Sequence, residues 1–377
     1  MESLKVIIPD KEDRKKHILE NMLYASELNK KNVLIYKQIF DLNNNYKLNI
    51  HEGNSLTANF YEIFGVDKFD IIVGNPPYQE VNASGDNKLY LDFTKMSINL
   101  LKSNMFLLFI TPRSILDYLL LVDKNRIYID HFYQLNFISI ETINKYFPNI
   151  GSTFTYFILQ KKSYDSITTI EYIFDNKIKT NMVLLEIGYK IPKILTPLDI
   201  EIISKITSNN NYVLNDFLFK DKTQRIRKEH INKNIVSNIE TVTHDVKIID
   251  TVNKSNPFPG KYYYYNKKDN AFNVNKLILS KKGYLTPYID NSKSYTYSDN
   301  FKYIIDDNLD KVKLLLESRI TKYLIYQFCK NGFDYINVVK MIDKKDLKNI
   351  KDENDLYLLF NLNQDHVNHI NHLLKKI

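Results

Sequence analysis

Apolar residues along this chain recur at two spacings. Unbroken apolar runs bounded by polar residues, 69–74 (Phe-Asp-Ile-Ile-Val-Gly) and 105–110 (Met-Phe-Leu-Leu-Phe-Ile), read as buried strands of a parallel sheet. Between and before them the period lengthens. Residues 11–20 are predicted as a helix with Asp10 as N-cap, and a short strand over 21–26 ends at Glu27-Leu28-Asn29. A helical pattern then runs through Val33, Tyr36, Ile39 and Phe40. A third strand, 47–50, leads into Glu52-Gly53-Asn54, and a helix is predicted over 90–101. Residues 136–140 and 153–160 have strand composition. This alternation predicts an α/β, Rossmann-like, doubly wound first half.

The alternation fades around 187–197, which places a domain boundary there and divides the chain into 1–190 and 195–377. The second part reads as α+β. Ile200, Ile203 and Ile206 mark an amphipathic helix, and 261–268 is a strand with alternate tyrosines in the core. A helix spans 310–328. A last helix, N-capped by Asn363, presents Val367, Ile370 and Leu374, which leaves His366, His369 and His372 on a solvated polar face. No cysteine or carboxylate set accompanies those histidines, so no metal site is expected.

Composition narrows the function classes. At 377 residues the chain is long enough for two domains, and no apolar stretch approaches a membrane span. Its single cysteine, Cys329, forms no intrachain disulfide, which points to an intracellular, cytoplasmic chain. The net charge of +8 suits a polyanionic partner, although usage rich in Asn, Lys, Ile and Tyr also reflects an AT-rich genome of the prokaryotic or viral kind. Pro9-Asp10 superficially suggests a nuclease motif. The charged residues after it continue one helix, and the reading is rejected.

The chemistry concentrates at Asn75-Pro76-Pro77-Tyr78, just beyond the predicted strand 69–74. Open α/β sheets bind ligands past the carboxyl ends of their strands. Two prolines fix φ and remove two backbone donors, Asn75 adds an amide acceptor, and Tyr78 adds a flat ring. Rigid acceptors beside a stacking ring suit a planar group bearing an NH2, such as an adenine or cytosine edge. A loop that merely ends a strand with Pro-Pro is the plainer alternative, and the acidic-apolar lead-in argues against it. An acidic residue ending the second strand of such a sheet, here Glu27, commonly holds ribose hydroxyls.

These residues resemble the adenine-specific DNA methyltransferases that carry an NPPY catalytic loop, in particular the type II restriction-modification kind with a C-terminal target-recognition domain. The resemblance implies methyl transfer from S-adenosyl-L-methionine to the amino group of an adenine flipped from double-stranded DNA. Asn75, Pro76 (through its carbonyl), Pro77 and Tyr78 are then the catalytic loop, with Tyr78 and Phe147 stacking on either face of the base. Tyr146 is an alternative to Phe147. Glu27, Asn54 and Phe93 take cofactor-binding positions, Asn54 standing where the family usually has Asp.

The family's Gly-rich cofactor loop has no counterpart here: none of the nine glycines is separated from another by a single residue. The expectation is an N-terminally truncated methyltransferase domain lacking its first strand and loop. A separate fragment would carry them, and a separate restriction endonuclease would cut. A catalytically inactive DNA-binding remnant is the alternative, and another planar amino substrate, in RNA or a glutamine side chain, is a third. In the second half, 277–290 and 330–333 loosely resemble the family's recognition domain. Arg225, Arg227 and Lys228 form a basic cluster suited to phosphates, or equally to a solvated loop.

Overall fold

The structure, a computed structural model, describes residues 2–78, 88–120, 133–146, 153–163, 167–184, 190–216, 218–219, 226–251, 261–268, 270–281, 285–329 and 335–375. It is mixed α/β and divides into two compact units, one of residues 1–171 and 182–189, the other of 172–181 and 190–377.

In the first unit α1 (Lys11–Asn21) starts where the Asp10 carboxylate accepts from the backbone N–H of Glu12 and Asp13, at 2.8 and 2.9 Å. Those bonds hold the Asp10 carboxyl below its ordinary value. Next come β1 (Tyr24–Glu27), α2 (Lys30–Phe40), capped by Asn29, and β2 (Asn49–Glu52). β1 and β2 pair in parallel from Tyr24↔Asn49 to Glu27↔Glu52. Both strands begin and end about two residues later than the pattern predicted. Asn49 explains part of this: its amide donates to the Glu20 carbonyl at 2.8 Å, which ties the start of β2 to the end of α1.

After α3 (Phe60–Phe64), β3 (Phe69–Gly74) leads to α4 (Leu89–Leu100) and β4 (Leu101–Pro112). Then follow α5 (Ile115–Leu120), β5 (Gln134–Ser139), β6 (Phe154–Gln160), β7 (Ile167–Phe174) and β8 (Lys177–Leu184). The sheet order is β3-β4-β6-β5-β7-β8. β3 runs parallel to β4, and β6 runs antiparallel to both β4 and β5. Leu107, Phe157, Leu159 and Ile138 are fully buried in its core. The pattern gave no strands over 167–184, where Lys and Thr break up the apolar residues.

The second unit opens with α6 (Pro197–Ile206), β9 (Asn215–Asp216), α7 (Lys228–Asn232) and β10 (Val236–Ser237). It continues through β11 (Val246–Ile249), β12 (Tyr262–Tyr265), β13 (Lys276–Ser280), β14 (Tyr288–Asp290), β15 (Tyr295–Tyr297) and β16 (Phe301–Ile304). Two four-stranded sheets form, β10-β12-β11-β15 and β14-β13-β16-β9. Tyr263 and Tyr265 are buried, as the alternation in that strand predicted, while Tyr262 faces out.

Five helices close the unit: α8 (Leu309–Glu317), α9 (Arg319–Phe328), α10 (Tyr335–Val339), α11 (Glu353–Leu359) and α12 (Gln364–Leu374). The single helix predicted over 310–328 is two. Ser318 takes an extended conformation and its hydroxyl accepts from the Thr321 N–H, so it ends α8 and caps α9.

The terminal histidines correct the sequence reading. His366 is fully buried and His369 nearly so, and only His372 is solvent-facing. His366 Nδ1 accepts from the Asn363 N–H in the α12 cap, and its Nε2 lies 3.2 Å from Glu201 Oε1. His369 Nε2 donates to the fully buried Asp199 at 2.9 Å. Asp199 Oδ1 also accepts from the Tyr323 hydroxyl and Gln327 Nε2, both at 2.7 Å, while Oδ2 accepts from Thr196. Burial and this carboxylate push the Tyr323 phenol up. The carboxylates that partner the histidines come from α6, far away in the chain, and the local pattern could not reveal them.

Among the described residues no helix is long and apolar enough to cross a membrane, and no group of three or more His, Cys, Asp or Glu could hold a metal ion. Because one carboxylate serves α6, α9 and α12, Asp199→Ala should strand several buried donors and cost about 3 kcal/mol or more. Urea unfolding of the full chain measures this, and a loss below about 1 kcal/mol would show that the network is dispensable.

Candidate active site at the strand ends of the first unit

The carboxyl end of β3 is set by close packing. A Cβ on Gly74 would lie 3.1 Å from the Phe109 ring, so the bare glycine lets β3 run flush against β4 up to Asn75. Beyond it Pro76 is buried, while Asn75 and Pro77 are exposed. The Tyr78 hydroxyl donates to Asn75 Oδ1 at 2.7 Å, closing a small ring of side chains over the two prolines. Partial burial raises the Tyr78 phenol above its usual value of 10.0, so it stays a donor through neutral pH. On its other side the Tyr78 ring meets the Phe154 ring at 5.5 Å, tilted by 41°.

Phe154 was not singled out from the sequence, nor was the ion pair behind it. Arg113, at the end of β4, is buried and donates to Glu141 Oε1 at 2.6 Å. The Arg113 N–H also donates to the Thr153 carbonyl, next to Phe154. Tyr90, on α4, shares a 2.8 Å hydrogen bond with Ser114. These contacts fix the floor on which Tyr78 rests. Their signal in the sequence was only the Thr-Pro-Arg-Ser that closes the strand.

The other predicted site residues lie at the ends of β1 and β2. Glu27 closes β1 and accepts from the Asn29 N–H at 2.7 Å, leaving its second carboxylate oxygen available. Asn54 follows β2, is exposed, and turns its Oδ1 onto the Leu56 N–H at 3.0 Å. Ser26 joins His51 and Ser55 in a hydroxyl–imidazole cluster between them, at 3.0 and 2.7 Å. Phe93 is half-buried on α4. Phe147 and Arg225 lie outside the described residues, and Tyr146 is exposed. Arg227 and Lys228, in the second unit, are both exposed.

The donor set decides what such a site can hold. Glu27 and Asn75 present acceptors, the right character for ribose hydroxyls and amino groups. The nearby cations are already engaged, Arg113 with Glu141 and Lys30 with Glu52 at 3.6 Å. The described residues therefore fit the nucleoside end of a nucleotide-like methyl donor, and they bring no uncommitted cation for a carboxylate.

Residues 6–147 match the Eco57I restriction-modification methylase family. This span carries every cofactor and catalytic position named above, Phe147 included, and the second unit lies outside it. No curated protein matches the chain. Among solved structures, it resembles a nuclease-deletion mutant of the Type ISP restriction-modification enzyme LlaGI in complex with a DNA substrate mimic: 10% identity, 88% of this chain, 47% of that one, TM-score 0.43. It also resembles the Type IIL restriction-modification enzyme MmeI in complex with DNA (12% identity, 80% and 50% coverage, TM-score 0.40). A third is the M protein of the Type I restriction enzyme EcoKI (14% identity, 45% and 39% coverage, TM-score 0.32). The chain spans half or less of each of these.

The raised Tyr78 phenol gives a pH expectation. Its folded pKa exceeds the unfolded one, so its share of stability is complete below pH 10 and is lost as pH rises through the folded value. A difference titration of the phenolate absorbance between wild type and Tyr78→Phe should place this group above 10. A midpoint at or below the free value would mean that the phenol is not held against Asn75.

Proposed function

We propose that the chain is the methyltransferase and DNA-recognition part of a restriction-modification system, transferring a methyl group from S-adenosyl-L-methionine to the exocyclic amino group of adenine in DNA. The observation that carries this reading is the Asn75–Tyr78 turn: an exposed amide oxygen oriented by a phenol, at the end of a parallel strand, beside an aromatic face. When bound, the cofactor supplies an electrophilic methyl group. Glu27 would hold its ribose, Asn54 its adenine edge, and Phe93 the adenine face.

The chain's own work is positioning. Asn75 Oδ1 and the Pro76 carbonyl accept the two amino hydrogens of the target base, which keeps the nitrogen lone pair free for in-line attack. Tyr78, supported by Phe154, stacks on the base, and Phe147 takes the opposite face; such stacking is worth ~1–3 kcal/mol per face. Two acceptors already fix the amino group, so no strong base is required. The second unit is read as the recognition domain, with Arg227 and Lys228, and Arg225 beside them, meeting phosphates. A separate fragment carrying a Gly-rich loop would supply the donors for the methionine carboxylate, and a separate endonuclease would cut unmodified DNA.

Asn75→Ala should lower transfer of a labelled methyl group to adenine in duplex DNA by about a hundredfold or more, by analogy with the loss of one preorganised transition-state contact. DNA affinity should change little, because phosphate contacts dominate it. Wild-type transfer by that variant would remove the catalytic reading. Separately, neutralising Arg225, Arg227 and Lys228 together should flatten the salt dependence of DNA binding by up to ~3 units of log–log slope. An unchanged slope would return them to a solvated surface.

A further inference from the structure

Among the described residues, β1 pairs only with β2 and β3 only with β4. Each therefore keeps one free edge. The strands nevertheless start side by side: the rings of Tyr24, which opens β1, and Phe69, which opens β3, meet edge-on with centroids 5.6 Å apart. Phe64 contacts Tyr24 at 5.3 Å and Phe60 contacts Phe69 at 6.1 Å, so four aromatic rings clamp these two strand starts together. Adjacent paired strands lie ~4.8 Å apart, and a separation of two such steps, ~10 Å, is one that two facing aromatic side chains span.

The sheet face at this place is also undercovered. Ile71 and Val73 point to one side of β3 and are 62% and 71% exposed. Their same-face neighbours on β4, Phe106 and Leu108, are half-buried, whereas Leu107 and Phe109 on the opposite face are buried. Strands of a parallel sheet are normally covered on both faces.

We propose that the free edges of β1 and β3 form a slot for one extended, apolar segment of a separate polypeptide, running parallel to both strands, with the chain that follows it folding over Ile71 and Val73. The occupant must have both main-chain edges free. The edge strand of a second copy of this protein does not qualify, because its own sheet occupies one of its sides. Entering parallel, the segment would end beside Glu27 and Asn75, where the site offers acceptors and engaged cations. Its following turn would bring the backbone N–H groups that the site lacks. This last step rests on the proposed methyltransferase reading; the strand pairing itself does not.

Hydrogen exchange read by mass spectrometry on the full chain tests the slot without any activity measurement. The probe is a synthetic peptide of about six alternating Val and Ile residues followed by Gly-Ser-Gly and a lysine tail, at ~1 mM. Exchange in 24–27 and 69–74 should slow about tenfold or more, with 154–160 unchanged. The same peptide N-methylated at alternate residues should have no effect, since it cannot pair through its main chain. Absence of slowing, or equal slowing by the methylated peptide, would overturn the proposal. So would slow exchange at both edges in the free chain: concentration-dependent slowing would assign the slot to a second copy, and concentration-independent slowing to this chain's own residues.

Discussion

The parallel pairing of β3 with β4 governs the first unit. β4 is held between β3 and β6, and its Leu107 and Phe109 side chains are buried. The register Gly74↔Phe109 decides where β3 ends and hence where Asn75 emerges. A slip of one residue would turn Ile72 outward and set a side chain against the Phe109 ring, so register and site geometry are one constraint. Pro76 and Pro77 then convert strand direction into loop direction without needing partners for two backbone N–H groups.

Much of this was legible because it is local. A helix cap such as Asp10 or Asn363, an apolar strand such as 69–74, and a rigid Asn-Pro-Pro-Tyr turn each declare themselves within a few residues. Features that failed to show are those set by distant partners. His366 and His369 read as surface residues because Glu201 and Asp199 lie far upstream. Phe154 became part of the site only when β6 brought it under Tyr78. Ser318 sits in an otherwise unbroken helical pattern, and its role as an end and a start at once follows from hydrogen bonds that periodicity does not encode. The hairpin β7–β8 was invisible for a different reason: one strand is half polar and the other mostly exposed, so neither carries a clear alternation.

The two units handle charge differently. In the first, carboxylate and amide oxygens sit at strand ends where a ligand can reach them. The second buries charge in closed sets. Lys276 and Asp290 are fully buried 3.0 Å apart, with the Tyr297 hydroxyl donating to the same carboxylate and Lys276 also donating to the Ala271 carbonyl. Such pairs seldom add net stability over an apolar core, but removing one partner is costly, so they favour a single arrangement of β13, β14 and β15.

The Asp199 cluster has a bearing on how the protein comes to be folded. Its first members, Thr196 and Asp199, leave the ribosome long before Tyr323, Gln327 and His369, the last of which is 170 residues away. During that interval the carboxylate can remain in water, and packing α6 into an interior would leave a charge without its donors. The second unit therefore completes its core only after α12 is synthesised, so any chain ending before residue 369 keeps α6 exposed to chaperones and proteases.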